Sequence, residues 1–591
     1  MFASLSLQPV AVVLESDKLS GKAQNESDKE AATTSRDQVI DSDDESITKD
    51  AQDGVLAMEA TTSVWTKRDL IIAYILIWII YFVDAMQQTT TNSLTPYVTS
   101  SFQLHSLTAA TSIMSSLIGG LFKLPLAKIL DIWGRPQGFA AMVVLLEIGL
   151  IMMAACKNVE TYAAAQVFYW VGYNGMDFSL SIFVADTSAL KNRAFAFAFV
   201  SSPYIATVWI GGPLATAFLN GPGFKWGFGV FAIITPIFCL PLLALFSLNY
   251  RKAKAAGLIP VRESGRTTLQ SLKHYAIEFD LFGLLLIASG LALFLLPFSL
   301  YSYQGSGWKS PMIICMIIFG GLLLTAFVLY EKFIAPKTFM PFELLTNHTV
   351  LGAYILAAVL FVEFYIWDSY FYSFLLVVNN LSITRATYIV NIYSIGSCFF
   401  SLVVGVFIRW TGRFKALALY FGVPLTILGV GLMIAFRQPD VNIGYIIMCQ
   451  IFIAFSGGTL VICEQIAAMA ATSHQYIAVV LAVEGMFSSI GGAIGATIAG
   501  AIWTGVFPVR LAEYLPIETR GNLTEIYESI DVQTSYAVGS ATRDAINRAY
   551  GDAQKLMIIA ATAVLVLAIV SVAVWRDIKV KDFKQVRGRV L

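Results

Sequence analysis

Five carboxylates, Asp84, Asp177, Glu363, Asp368 and Glu464, sit inside segments otherwise built from Leu, Ile, Val, Phe and Ala. A charged side chain in hydrocarbon is costly, so an acid kept there faces a water-lined path and exchanges a proton or holds a polar ligand. Helical spacing gives each acid neighbours suited to that work. Tyr81, Asp84, Gln87 and Gln88 recur at i, i+3, i+6 and i+7 and read as one polar stripe. Tyr169, Tyr173 and Asn174 precede Asp177, and the string F-V-E-F-Y-I-W-D-S-Y-F-Y-S-F brings Tyr365, Trp367, Asp368, Ser369 and Tyr372 together. For a single aromatic side chain helix packing is the commoner use; for the acids a functional use is. Glu147 reads as a support for a neighbouring loop or helix. Glu484, which opens a run of small residues (Ser488, Gly491, Gly492, Gly495, Gly500), reads equally well as cavity-facing or buried in packing.

The elements that must carry these residues follow from composition. With 57% hydrophobic and 13% charged residues in 591, the chain belongs in a bilayer. Apolar runs of about 20 residues, enough to cross it, begin near Leu70, Leu107, Phe139, Thr161, Phe195, Trp226, Asp280, Pro311, Val350, Thr384, Lys415, Ile443, Gln475 and Lys555. They are spans 1 to 14. Residues 1–60 hold thirteen Asp/Glu against five Lys/Arg and no sustained apolar run, which predicts a disordered acidic tail and no cleaved signal peptide.

Charge bias sets the orientation. With both termini cytoplasmic, the inner connections and carboxyl tail hold 22 Lys/Arg, and the outer loops five: Lys157, Lys225, Lys309, Arg385 and Arg437. The basic clusters after span 6 and at the carboxyl end read as topology anchors, not as a nucleic-acid site. All six cysteines fall within spans without metal-ligand spacing, and the four histidines are scattered over both sides. No metal site or disulfide framework is expected.

Between spans 2 and 3, A-K-I-L-D-I-W-G-R-P (Ala127 to Pro136) resembles the cytoplasmic signature loop of the major facilitator superfamily. Asp131, Gly134 and Arg135 match it, whereas Ala127 and Ile132 stand where the pattern has Gly and Arg. The Asp can pair across the cytoplasmic seam and the Gly permits a tight turn, so the three read as a conformational lock. Gly405, Arg409, Gly412, Arg413 and Lys415 echo the loop after span 10. The resemblance implies an all-α major facilitator fold of fourteen transmembrane helices: two six-helix bundles plus a two-helix insert, spans 7 and 8. The expected boundaries are 1–66 for the tail, 67–250 for the first bundle and 251–279 for a basic linker. The insert and its following loop take 280–348, the second bundle 349–576 with an outer loop at 504–554, and the basic tail 577–591. In that fold spans 1, 4, 9 and 12 line the cavity, the same spans that carry the five acids.

The stretch from Tyr81 to Pro136, the string V-A-D-T-S-A-L-K-N-R-A (Val184 to Ala194) and Y-I-W-D-S-Y-F-Y-S-F-L (Tyr365 to Leu375) resemble the fungal siderophore-iron transporter family. The likeness implies a carrier, not an enzyme, without cofactor, that takes up ferric siderophores of the hydroxamate type by proton symport. It would act at the plasma membrane, cycling through endosomes, as a monomer in the bilayer with siderophore and protons as partners. Substrate contacts would come from Tyr81, Gln87, Gln88, Tyr173, Asn174, Tyr365, Trp367 and Tyr372, and proton coupling from Asp84, Asp177, Glu363, Asp368 and Glu464. Such a ligand satisfies its own iron, so its pocket needs aromatic walls and a few hydrogen-bonding groups instead of metal ligands.

In the long outer loop Asn522-Leu523-Thr524 is a glycosylation sequon on the outer face; Asn25 and Asn347 face the cytoplasm and Asn380 lies close to the membrane. Tyr527 and Tyr536 read either as part of a selectivity lid or as a spacer. Gly211, Gly212 and Pro213 read as a hinge or a close-packing site in span 5. Two alternatives share the architecture: a fourteen-span drug/proton antiporter and a nutrient sensor without flux.

Overall fold

With no water to satisfy backbone groups in hydrocarbon, apolar runs must close their hydrogen bonds within themselves, and helices do so. The computed structural model describes residues 53–101, 120–258, 268–278, 280–297, 301, 304–336, 346–472 and 476–581. Among them eleven helices are long and apolar enough to cross a membrane. Three expected spans are not in that set. Most of span 2 lies outside the described residues, and its helix appears at 120–132. Span 7 is Leu281–Leu295, at 15 residues a short apolar helix. Span 4 is the 29-residue helix Val159–Thr187, whose Glu160, Gln166, Asn174 and Asp177 dilute its hydropathy.

Two bundles result. In the first, span 1 (Lys67–Ser101) packs on spans 5 and 6, while span 3 (Arg135–Ala155) packs on spans 4 and 6 (Phe224–Ala255). Spans 3 and 4 touch backbone to backbone: Gly149 lies on Tyr169 and Gly172 on Leu146, places where a Cβ has no room. In the second bundle, span 9 packs on spans 12 (Ile443–Ala470), 13 (Ile477–Tyr514) and 14 (Ala541–Ala573), and span 12 also on span 10. Gly491 and Gly495 of span 13 face the Ala358 and Val362 carbonyls of span 9. Spans 7 and 8 (Pro311–Phe333) pack on each other.

Four features differ from expectation. The tail expected to be disordered to residue 66 includes a helix, Asp53–Val64, and Trp65 behind it is buried 5.5 Å from Phe183 and 5.9 Å from Phe246, an aromatic pocket that repays ordering this segment. Residues 1–52 lie outside the described set. Span 5 is interrupted at Ser202 and Pro203, between Leu190–Ser201 and Tyr204–Asn220, and not at Gly211–Pro213. There the helix is continuous, so the hinge is absent, while the close-packing alternative holds: Gly211 gives room to Thr89 of span 1. Span 9 also breaks, between His348–Asp368 and Phe371–Val377. The outer loop placed at 504–554 narrows to residues 515–540, because helices 13 and 14 extend to Tyr514 and from Ala541. It folds as three short helices, Ile517–Asn522, Leu523–Glu528 and Ile530–Ser535.

Candidate functional site

The bundles meet along spans 5 and 10, the latter comprising Ile383–Val390 and Ile392–Thr411. Gly405 lies against the Phe195 backbone, Arg193 reaches the Met469 sulfur at 3.9 Å, and Gly120 lies against Ser489. These contacts close the end of the molecule at which Arg135 lies. Beyond the closure is a cavity of about 210 Å³, walled by Tyr81, Asp177, Ser181 and Ser201 of the first bundle and by Tyr393, Ser397, Ser401 and Gln465 of the second. Serine and tyrosine hydroxyls share it with the apolar side chains of Phe197, Val200, Val461 and Ile462, and Asp177 is the charged group in its lining.

Tyr81 donates its hydroxyl hydrogen to Asp177 Oδ1 at 2.9 Å, joining spans 1 and 4 in the cavity wall. Behind it Asp84 is buried, with Oδ1 lacking a hydrogen-bond partner, within electrostatic reach of Asp177. Tyr173 and Tyr204 share a 2.6 Å hydroxyl contact, and Gln88 accepts from Tyr204 at 3.4 Å. Gln87 leaves this group. Six residues at 100° per residue put it 120° round the helix from Tyr81, and its Oε1 accepts from Thr235 of span 6 at 2.9 Å. The expected single stripe is therefore split between two neighbours. Asn174 donates to Trp170 O within its own helix.

In the second bundle Glu363, Glu464 and Glu484 are buried, each with one carboxylate oxygen lacking a hydrogen-bond partner, and Glu464 and Glu484 repel each other. Such an oxygen needs a proton, a cation or water. Trp367 is buried and Asp368 partly buried, whereas Tyr365 and Tyr372 reach the surface of the bundle. Glu147 is half-buried in span 3 with Oε1 unpartnered, apart from the cavity lining.

The signature loop is a buried ion cluster. Arg135 Nη1 donates to Asp131 Oδ1 at 2.5 Å and Nε to Asp186 Oδ2 at 2.9 Å, while Gly134 takes φ 110° in the turn between. Asp186 is absent from the residues singled out by sequence, although it stands inside the string Val184 to Ala194. Arg437 was also missed: counted there among the outer-loop charges, it is fully buried.

The tyrosines considered for a lid are engaged inside the 515–540 connection. Tyr527 packs 6.1 Å from Phe507, and the Tyr536 hydroxyl accepts from Asn522 Nδ2 at 3.5 Å. Arg543 ties this connection to span 9, donating to the carbonyls of Val377 (2.7 Å), Gln533 (2.8 Å) and Tyr536 (3.0 Å). A ladder of stacked rings, Tyr370 on Trp503 and Trp503 on Phe507, both at 4.2 Å, continues the attachment.

Comparison with known proteins places this architecture. Residues 77–338 match the family model described as the Major Facilitator Superfamily. The chain is 70% identical over 563 residues to the "MFS siderochrome iron transporter 1" of Ajellomyces capsulatus, covering 95% of this chain and 96% of the relative. It is 44% identical to the "Siderochrome iron transporter 2" of Aspergillus fumigatus, over 96% and 92% of the two chains. Against the "Siderophore iron transporter mirB" of Emericella nidulans it is also 44% identical, over 91% and 89%. Identity of this degree across nearly the whole length means that the chain belongs to the siderophore-iron transporter family of the major facilitator superfamily.

Proposed function

We propose that the protein imports ferric siderophores of the hydroxamate class across the plasma membrane by alternating access, with protons as the driving ion. The observation that carries this reading is the cavity between the two bundles, with the Tyr81–Asp177 pair in its wall and hydroxyl and aromatic groups around it. A neutral, oxygen-rich chelate with an apolar scaffold is matched by such a lining. At about 210 Å³ the cavity is smaller than the roughly 300–1,000 Å³ of ordinary ligand pockets. A bulky chelate therefore enters only when the bundles part.

In this reading fourteen helices cross the membrane with both termini cytoplasmic, and the Arg135 end, closed here, is the inner end. Tyr81, Gln88, Tyr173, Tyr365 and Tyr372 supply substrate contacts. Asp84, Asp177, Glu363, Asp368 and Glu464 are the candidates for proton exchange, since relocating a proton is the cheapest way to neutralise a carboxylate that loses its water. Asp131, Arg135 and Asp186 hold the closed inner seam, and Asn522 is the outer glycosylation site.

The test is uptake of radio-iron siderophores into cells lacking other carriers, with and without an uncoupler. Accumulation that collapses on uncoupling supports the whole proposal, and accumulation that survives it removes the protons. Absence of uptake for every hydroxamate tried, together with gained resistance to exported toxins, would replace import by export.

A further inference from the structure

Span 9 loses its helix at Ser369 and Tyr370, and neither Gly nor Pro is present to explain it. A break inside a membrane-crossing helix frees carbonyls that other groups must satisfy. At Trp367 a side chain does so. Arg437, at the end of span 11 (Lys415–Phe436), donates from Nη1 to Trp367 O at 2.7 Å, whereas Tyr370 O already accepts from Phe374 N at 3.1 Å and takes Gln554 Nε2 of span 14 as a second donor at 3.3 Å.

A neutral amide suffices for such a cap, yet this one is a permanent cation. Arg437 is fully buried, with its guanidinium carbon 4.3 Å from the Phe371 ring centre and 5.5 Å from that of Phe374. Its Nε and Nη2 have no hydrogen-bond partner. Those two donors form the edge of the fork that fits a carboxylate bidentately. Asp368, the residue after the capped carbonyl, interacts electrostatically with Arg437 but forms no close ion pair with it here. The other titratable groups near Asp368 are Glu363 and Tyr365 on its own helix and Tyr393 on span 10. Arg437 is the cation in that set.

We propose that Arg437 is the counter-cation of Asp368, a positioning residue that alternates between the Trp367 carbonyl, as seen here, and a bidentate clasp on the Asp368 carboxylate. The clasp forms when Asp368 is ionised and opens when it takes a proton, so the charge on this side chain is tied to the geometry of the break in span 9. The inference rests on the proton-coupled reading above.

The full-length protein with Arg437→Gln, Arg437→Lys, Asp368→Asn and the double change Asp368→Asn/Arg437→Gln tests it. Surface amount, thermal midpoint of the detergent-purified protein, and ferric-siderophore counterflow and accumulation are the readouts. Arg437→Gln, leaving the partly buried Asp368 without its cation, should lower counterflow more than about ten-fold or keep the protein from the surface. The double change should return surface amount, thermal midpoint and counterflow to within about three-fold of wild type, with accumulation still lost, because the two effects are coupled. Arg437→Lys, which keeps charge without the fork, should fall between. A double variant no better than Arg437→Gln in every readout, including failure of both to reach the surface, overturns the pairing and leaves Arg437 as a backbone cap. The thermal midpoints are read without substrate, so they decide the pairing even if wild-type uptake fails and the import reading falls with it.

Discussion

Arg135 donates from Nε to Asp186 Oδ2 at 2.9 Å, with both side chains buried, and so fastens the start of span 3 to the end of span 4. The same guanidinium holds Asp131, which makes one cation serve two acids. Removing either partner from a buried pair strands a charge and costs about 3–5 kcal/mol.

The first prediction concerns that cluster. Asp186→Asn and Arg135→Ala should slow siderophore turnover about ten-fold or more while equilibrium affinity stays within a few fold, because locking and binding are separable. Arg135→Lys should restore little, since one ammonium cannot reproduce two directed contacts. Binding to purified protein beside initial uptake rates checks both statements. Lost affinity with normal turnover would move the cluster into the binding site.

Tyr81→Phe tests the cavity wall. It deletes one hydroxyl whose partner is the Asp177 carboxylate, an interaction worth about 1.5–3 kcal/mol. Siderophore affinity or coupled accumulation should drop roughly 10- to 100-fold at unchanged surface amount, by the usual conversion of energy to equilibrium constant. Asp177→Asn should abolish accumulation. Uptake kinetics that match wild type in both variants would take this pair out of the transport path.

Gly405 offers a conformational test. A Cβ there would come within 2.7 Å of Phe195 Cα, so Gly405→Val should prop open the seam between spans 5 and 10. The cavity holds a native reporter, Cys398. With the exposed Cys315 replaced by Ser, maleimide applied from the Arg135 side should label Cys398 faster in Gly405→Val than in wild type. Saturating ferric siderophore should protect it. Equal labelling rates would mean that this contact does not guard the cavity.

Arg543→Ala should release the 515–540 connection from span 9, because three backbone carbonyls lose their donor at once. Limited proteolysis should then cut within the connection at least about five-fold faster, given the roughly 1–3 kcal/mol cost of each buried group left unpaired. Tyr527→Ala and Tyr536→Ala should act more weakly and in the same direction. A change in siderophore preference without altered proteolysis would restore the lid.

The buried acids were legible from sequence because a carboxylate in an apolar run has few benign explanations. Asp84, Asp177, Glu363 and Glu464 all lie inside their bundles or at the cavity between them. Arg437 was not legible: a basic residue just past an apolar run looks like any loop charge, and its burial depends on Phe371 and Phe374, more than sixty residues earlier in the chain. The break in span 9 left no mark either: no Gly or Pro stands at Ser369 and Tyr370, and the donor that meets the Trp367 carbonyl, Arg437, comes from another helix. Gln87 shows a different limit. A spacing of i+6 does not share the face of i+3 and i+7, and the helix carries Gln87 away to Thr235. Span 4 is legible as an apolar run from Thr161, even though Gln166, Asn174 and Asp177 dilute its hydropathy.

The ring ladder from Tyr370 through Trp503 to Phe507, with Arg543 beside it, makes the 515–540 connection part of the second bundle's solid body. An antibody fragment raised against that connection would therefore hold a handle on half of the carrier. It would impede transport as a load on a moving part, equally for every cargo, and increasing the siderophore concentration would not relieve the inhibition.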